Sequence, residues 1–138
     1  MNHTFLLQPA VWTVTGSFKE LQVTGKTTVF PRDGKWIIDS FIQLENGAIL
    51  QTDYSIVPLK EACASTSFTA TSTVLGAMVG TFTIKDNKII EDYGTDNPAI
   101  TGQEIMTMLD ESHYISEGIL YHQGISKSSW SLTFTKIP

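Results

Sequence analysis

The chain has 138 residues, of which 41% are hydrophobic and 17% charged, and its formal charge is −5. That size suits one domain able to bury roughly two thirds of its unfolded surface, and the aromatic and β-branched residues spread along it exclude a disordered chain. With Lys scattered from Lys19 to Lys136 and Arg32 as the single arginine, the sequence lacks the clustered cations of a polyanion-binding groove, so nucleic acid is not an expected partner.

The opening "MNHTFLLQPA" lacks the basic n-region of a signal peptide, and its apolar run is too short for one. No stretch approaches the roughly 20 apolar residues needed to cross a bilayer. Cys63 is the single cysteine, which rules out an intrachain disulfide and a Cys-based metal site. A soluble, cytoplasmic protein is expected.

Beyond the opening segment, period-2 alternation between turn residues predicts ten strands. The first, Val11–Lys19, covers most of "AVWTVTGSF" (Ala10–Phe18) and puts Trp12, Val14, Gly16 and Phe18 on one face. Val23–Arg32 follows, then the pair Asp33-Gly34, then Trp36–Glu45 and the pair Asn46-Gly47. Both pairs suit the positive φ angles of a type I′ hairpin turn. Ala48–Val57 is the fourth strand and Pro58 stops it. The irregular "PLKEACAST" has room for a helical turn.

Ser67–Val74 and Ala77–Lys85 follow, split near Gly76, and Asp86-Asn87 turns the chain into Lys88–Tyr93. After the loop "GTDNPA" come Ile100–Leu109, His113–His122 and Ser126–Ile137. Gly102–Glu111 also fits a helix, but its place in a regular series favours a strand. Strands about every twelve residues with short links predict an all-β, antiparallel up-and-down meander. Closure into a barrel removes the two unpaired edges such a sheet would expose. Ten strands make a barrel wider than side chains readily fill, with an eight-stranded barrel as the alternative.

A first strand of the form Trp-x-x-x-Gly-x-Phe, here Trp12, Gly16 and Phe18, followed by this meander over nearly the whole chain, resembles the calycin superfamily. The group includes lipocalins, fatty-acid-binding proteins and nitrobindin-type haem barrels. The resemblance implies a barrel with an internal site. It implies no particular ligand, because the subfamily marks are missing: Ala10 stands where lipocalins carry Gly, "ELQVTG" is too short for a helix–turn–helix, and "SSWSLTFTKIP" lacks an Arg-x-Tyr.

Alternation aligns Trp36, Ser40 and Ile42 on the third strand, Leu50, Thr52 and Tyr54 on the fourth, and Trp130, Leu132 and Phe134 on the tenth. Such apolar rows with a few hydroxyls suit a small-molecule pocket, and equally a packed core. Arg32 is a candidate anchor for a carboxylate or phosphate, or a solvated strand-end residue. Glu104 is either a buried carboxylate and partner for Arg32 or, in the opposite register, a surface group. Tyr54 and Tyr114 are candidates to orient a ligand's polar end.

His3, His113 and His122 lack metal-ligand spacing; His122 reads as a rim residue beside a Gly turn, while the resemblance to nitrobindin-type barrels would imply an axial haem ligand there. No catalytic motif stands out, and no cofactor is implied. The expected function is binding of a small hydrophobic or amphipathic molecule. The alternatives are a barrel enzyme using Glu104 with Tyr54 or Tyr114, and an interaction module with a filled core that forms a homodimer through Ile37 and Phe41.

Overall fold

The computed structural model describes residues 2–60 and 63–138, and alternating sequence becomes strand almost throughout. The strands are β1 (Ala10–Phe18), β2 (Leu21–Arg32), β3 (Lys35–Leu44), β4 (Ile49–Ile56), β5 (Ser65–Ser72), β6 (Gly76–Lys85), β7 (Lys88–Thr95), β8 (Ile100–Asp110), β9 (His113–His122) and β10 (Ile125–Lys136). Each pairs antiparallel with its neighbour in sequence, and β10 returns to pair with β1, giving a closed ten-stranded barrel. The eight-stranded alternative is set aside. The helix considered for Gly102–Glu111 does not form, because β8 hydrogen-bonds on both sides, to β7 and β9. The helical turn expected in "PLKEACAST" falls partly on Glu61 and Ala62, outside the described residues.

Closure is local at Gly16, where β1 meets β10 opposite Leu132. Its φ of 151° and the Ser131 and Leu132 backbone packed against it leave no room for a Cβ, so glycine lets the strand bend at the seam. Asp33-Gly34 turns with φ of 52° and 75°, as a type I′ turn requires. The second pair differs. Only Gly47 takes a positive φ, of 89°, and its N–H donates to the Leu44 carbonyl at 2.9 Å while Leu44 N–H donates to Ala48 at 2.9 Å. This loop is therefore longer, with one glycine supplying the left-handed residue that matches strand twist.

The two ends of the barrel differ. One is stoppered by the opening segment, which precedes β1. His3, Thr4, Phe5 and Leu6 are all buried against Trp12 and Tyr114, with Phe5–Trp12 and Trp12–Tyr114 ring centroids each 5.5 Å apart, edge to face. Most polar groups in this floor are paired, the buried Trp12 indole Nε1 being the one without a partner among the described residues. The Tyr114 hydroxyl meets His3 Nδ1 at 2.8 Å and accepts from the Thr4 and Phe5 backbone N–H groups. His3 Nε2 lies 2.9 Å from the Asp86 carbonyl. A carbonyl can only accept, so Nε2 carries a proton and Nδ1 is free to accept from Tyr114.

Candidate functional site

Above the floor the barrel is not filled. A cavity of about 170 Å³ runs from Phe5 to the opposite end, where Phe18, Leu44, Leu50, Val74, Leu75 and Leu120 line it. Val74 is 69% exposed there, so this end is the mouth. The strand count explains the space: about eight strands close a barrel that side chains can fill, and ten enclose more. A wholly packed core is thereby corrected to a core with a cavity.

Strand parity distributes the candidates. Ser40, Thr52, Tyr54, Glu104 and Trp130 all line the cavity. Three candidates do not. Arg32 is exposed, with its guanidinium carbon 5.0 Å from the Phe30 ring centroid. Val23, Thr27 and Val29 hold the inward positions of β2, which sends Phe30 and Arg32 outward, so Arg32 partners neither Glu104 nor an interior ligand. Trp36 lies on the inward row but at the floor end, half-buried against the core opposite Ile56. The Tyr114 hydroxyl is committed to the floor hydrogen bonds.

The polar centre contains a residue missed from sequence. Glu91 is only 4% exposed and faces Glu104 directly across the β7–β8 ladder. In "KIIEDY" it shares a row with Ile89 and Tyr93, and that parity was the available signal. The Tyr54 hydroxyl, reaching from β4, donates to Glu91 Oε2 at 3.1 Å. Glu104 is held from the other side by the Trp130 indole N–H, 2.6 Å from Oε2. That reach spans a whole strand, because Gly118 lies between Glu104 and Trp130 in the register and the indole lies where a side chain would stand. Phe18 stacks on Trp130 with centroids 5.8 Å apart.

Burial pushes Glu91 well above the usual carboxylate range, and the Glu104 charge pushes it further, against the Tyr54 hydrogen bond. Burial also raises Glu104, opposed by the Trp130 N–H and the Ser116 hydroxyl. Ser116 lies close enough to Glu104 to favour its charge, yet its Oγ makes no hydrogen bond of full geometry among the described residues. Tyr54 and Tyr93 are raised by burial first and by the two glutamates next. Two carboxyls in a low-dielectric site favour holding a proton between them. Such a pair can donate from one group and accept at the other. The carboxylate–tyrosine contact that acid–base chemistry needs does exist, but it joins Tyr54 to Glu91 rather than to Glu104.

The remaining hydroxyls are largely self-satisfied. Thr27 and Ser40 bond each other at 3.1 Å, and Ser72 Oγ accepts from the Val74 and Leu75 N–H groups at 3.2 Å each. The rest of the wall is apolar, including Val23, Ile38, Ile42, Leu132 and Phe134. His122 stands at the end of β9 beside the mouth, half-buried.

Fold and site together define a closed, ten-stranded up-and-down β-barrel with an internal cavity open at one end. The sequence matches no protein-family model and no curated protein. Among solved structures the chain is similar to EF1p2_mFAP2b bound to DFHBI, with 15% identity, a TM-score of 0.54 and coverage of 94% of this chain and 93% of that one. It is likewise similar to a redesigned beta barrel, mFAP1, bound to DFHBI, with 14% identity, a TM-score of 0.54 and coverage of 97% and 99%.

Proposed function

We propose that this protein binds a small hydrophobic or amphipathic molecule inside the barrel. The cavity carries this reading: an apolar chamber with a few convergent polar groups on one wall is the usual make-up of a small-molecule site. That two neighbours of the same fold are bound to DFHBI supports it. The likeness to calycins at Trp12, Gly16 and Phe18 supports it through a shared habit of carrying ligands inside a barrel. The Phe41 side chain is 42% exposed on the outer face, and we keep a homodimer through Ile37 and Phe41 within the proposal.

The test uses the neutral dye Nile red and native mass spectrometry of the purified protein. Saturable dye fluorescence, or a bound small molecule carried through purification, is the expected result. Neither signal, from a protein shown to be folded by thermal melting, overturns the reading.

A further inference from the structure

We propose that the chamber selects a compact hydrophobic amine, whose ammonium sits between Glu91 and Glu104 while its hydrocarbon part fills the space toward β1, β2 and β3. This rests on the ligand-binding reading above and adds the ligand's charge and shape. Both glutamates point into the chamber from one rung of the ladder. No Lys, Arg or His among the described residues lines it with them, so the protein offers no internal counter-charge.

Each carboxylate has capacity for about four hydrogen bonds. The structure gives Glu91 the Tyr54 hydroxyl and Glu104 the Trp130 indole, which leaves most of that capacity open. A second observation is a buried polar atom beside the pair whose hydrogen bonding is incomplete. Ser116 Oγ is fully buried beside Glu104, its hydroxyl favouring the Glu104 charge, yet it makes no hydrogen bond of full geometry among the described residues. An ammonium brings three N–H donors and one positive charge to this set of acceptors. An anionic ligand would place a like charge beside the pair, and a neutral one would bring it no counter-charge.

β7 and β8 lie half-way round the ring from β2 and β3, where Val23 and Ile38 face the chamber with the self-paired Thr27 and Ser40. One wall therefore fits the ammonium and the opposite wall fits hydrocarbon. The titratable groups facing the glutamates are Tyr54 from β4 and Tyr93 from β7, with Asp92 acting on Glu91 from the outer face. β5 and β6 bring the rings of Phe68 and Phe82, and no titratable side chain of theirs among the described residues lines the chamber. The facing tyrosines are themselves acids, so a proton that the pair gives up when the ammonium binds goes to the buffer.

The experiment is calorimetric titration with adamantylamine, adamantanol and adamantane carboxylate, which share one hydrocarbon and differ in head group. The amine is expected to bind about tenfold or more tighter than the alcohol, since hydrogen bonds to charged groups are the strong ones, and the carboxylate not at all. Its binding heat should differ between phosphate and Tris buffers near neutral pH, reporting the released proton. Glu91→Gln with Glu104→Gln should abolish both the preference and the buffer dependence while the protein still melts cooperatively.

Equal or tighter binding of the alcohol or the carboxylate overturns the inference, as does an amine preference that survives the double substitution. If Nile red binds and no adamantane does, the amine inference falls and the ligand-binding reading stands. If nothing binds, both fall.

Discussion

Glu104 on β8 is the direct cross-strand partner of Glu91 on β7, and both carboxyls point into the barrel. Because burial raises both groups in the folded state, the native protein holds protons that the unfolded chain has released. Stability is then greatest below the unfolded carboxylate range and falls as pH rises through the raised native values. The melting temperature should be higher at about pH 5.5 than at about pH 8, opposite to the usual carboxylate trend. Glu104→Gln should flatten that slope and raise Tm at about pH 8 by roughly 4 °C, the shift that ~1 kcal/mol gives in a chain of this size. Thermal melts of wild type and variant across pH check this.

Tyr54 is the one side chain that donates to Glu91 among the described hydrogen bonds. Tyr54→Phe keeps the ring against Phe68, now 5.3 Å away, but strips the carboxylate of that donor. A loss of about 1–3 kcal/mol is expected, the cost of a buried polar group left unpaired. Restoring most of it with Glu91→Gln in the Tyr54→Phe background, measured by urea unfolding, would show that the loss acts through Glu91.

Gly118 gives the Trp130 indole its place and hence its bond to Glu104. Gly118→Ala should push the indole off the strand and cost about 1–3 kcal/mol, as overpacking does. Trp130 fluorescence should change, which can be isolated by replacing Trp12 and Trp36 with Phe. An unchanged spectrum and unchanged stability would refute the packing relationship.

The floor depends on one phenol. Tyr114→Phe leaves the Thr4 and Phe5 N–H groups and His3 Nδ1 without their shared partner. A loss of about 2 kcal/mol or more is expected, together with faster amide exchange in residues 3–6. Ligand affinity should be unchanged, because Tyr114 does not line the chamber.

Thr52→Phe fills the chamber near the mouth-side wall without touching the glutamates. Nile red affinity should fall about tenfold or more, since the space its apolar surface would occupy is gone. A dye signal that persists at full strength would place its site elsewhere.

Strand count, order and closure were legible in the sequence because alternation and turn residues are local properties. β3, β4 and β10 displayed their inward rows plainly: Ser40, Thr52, Tyr54 and Trp130 were read from parity alone and do line the chamber. β2 and β8 were harder, because both faces carry apolar residues, as Ile105 does opposite Glu104. Closed ladders on both sides of each strand choose the parity, and they sent Arg32 out and Glu104 in.

The sequence by itself determined an all-β meander of ten strands and a barrel wide enough to hold a cavity, since period, turn chemistry and strand number follow from neighbouring residues. Only the tertiary structure decided that the opening segment stoppers one end, that Glu91 meets Glu104, and that Trp130 reaches Glu104 over Gly118. Those relationships join residues far apart in the chain. They exist only once β1 pairs with β10 and the register of every ladder is set, because a shift of one residue would turn each of these side chains to the opposite face.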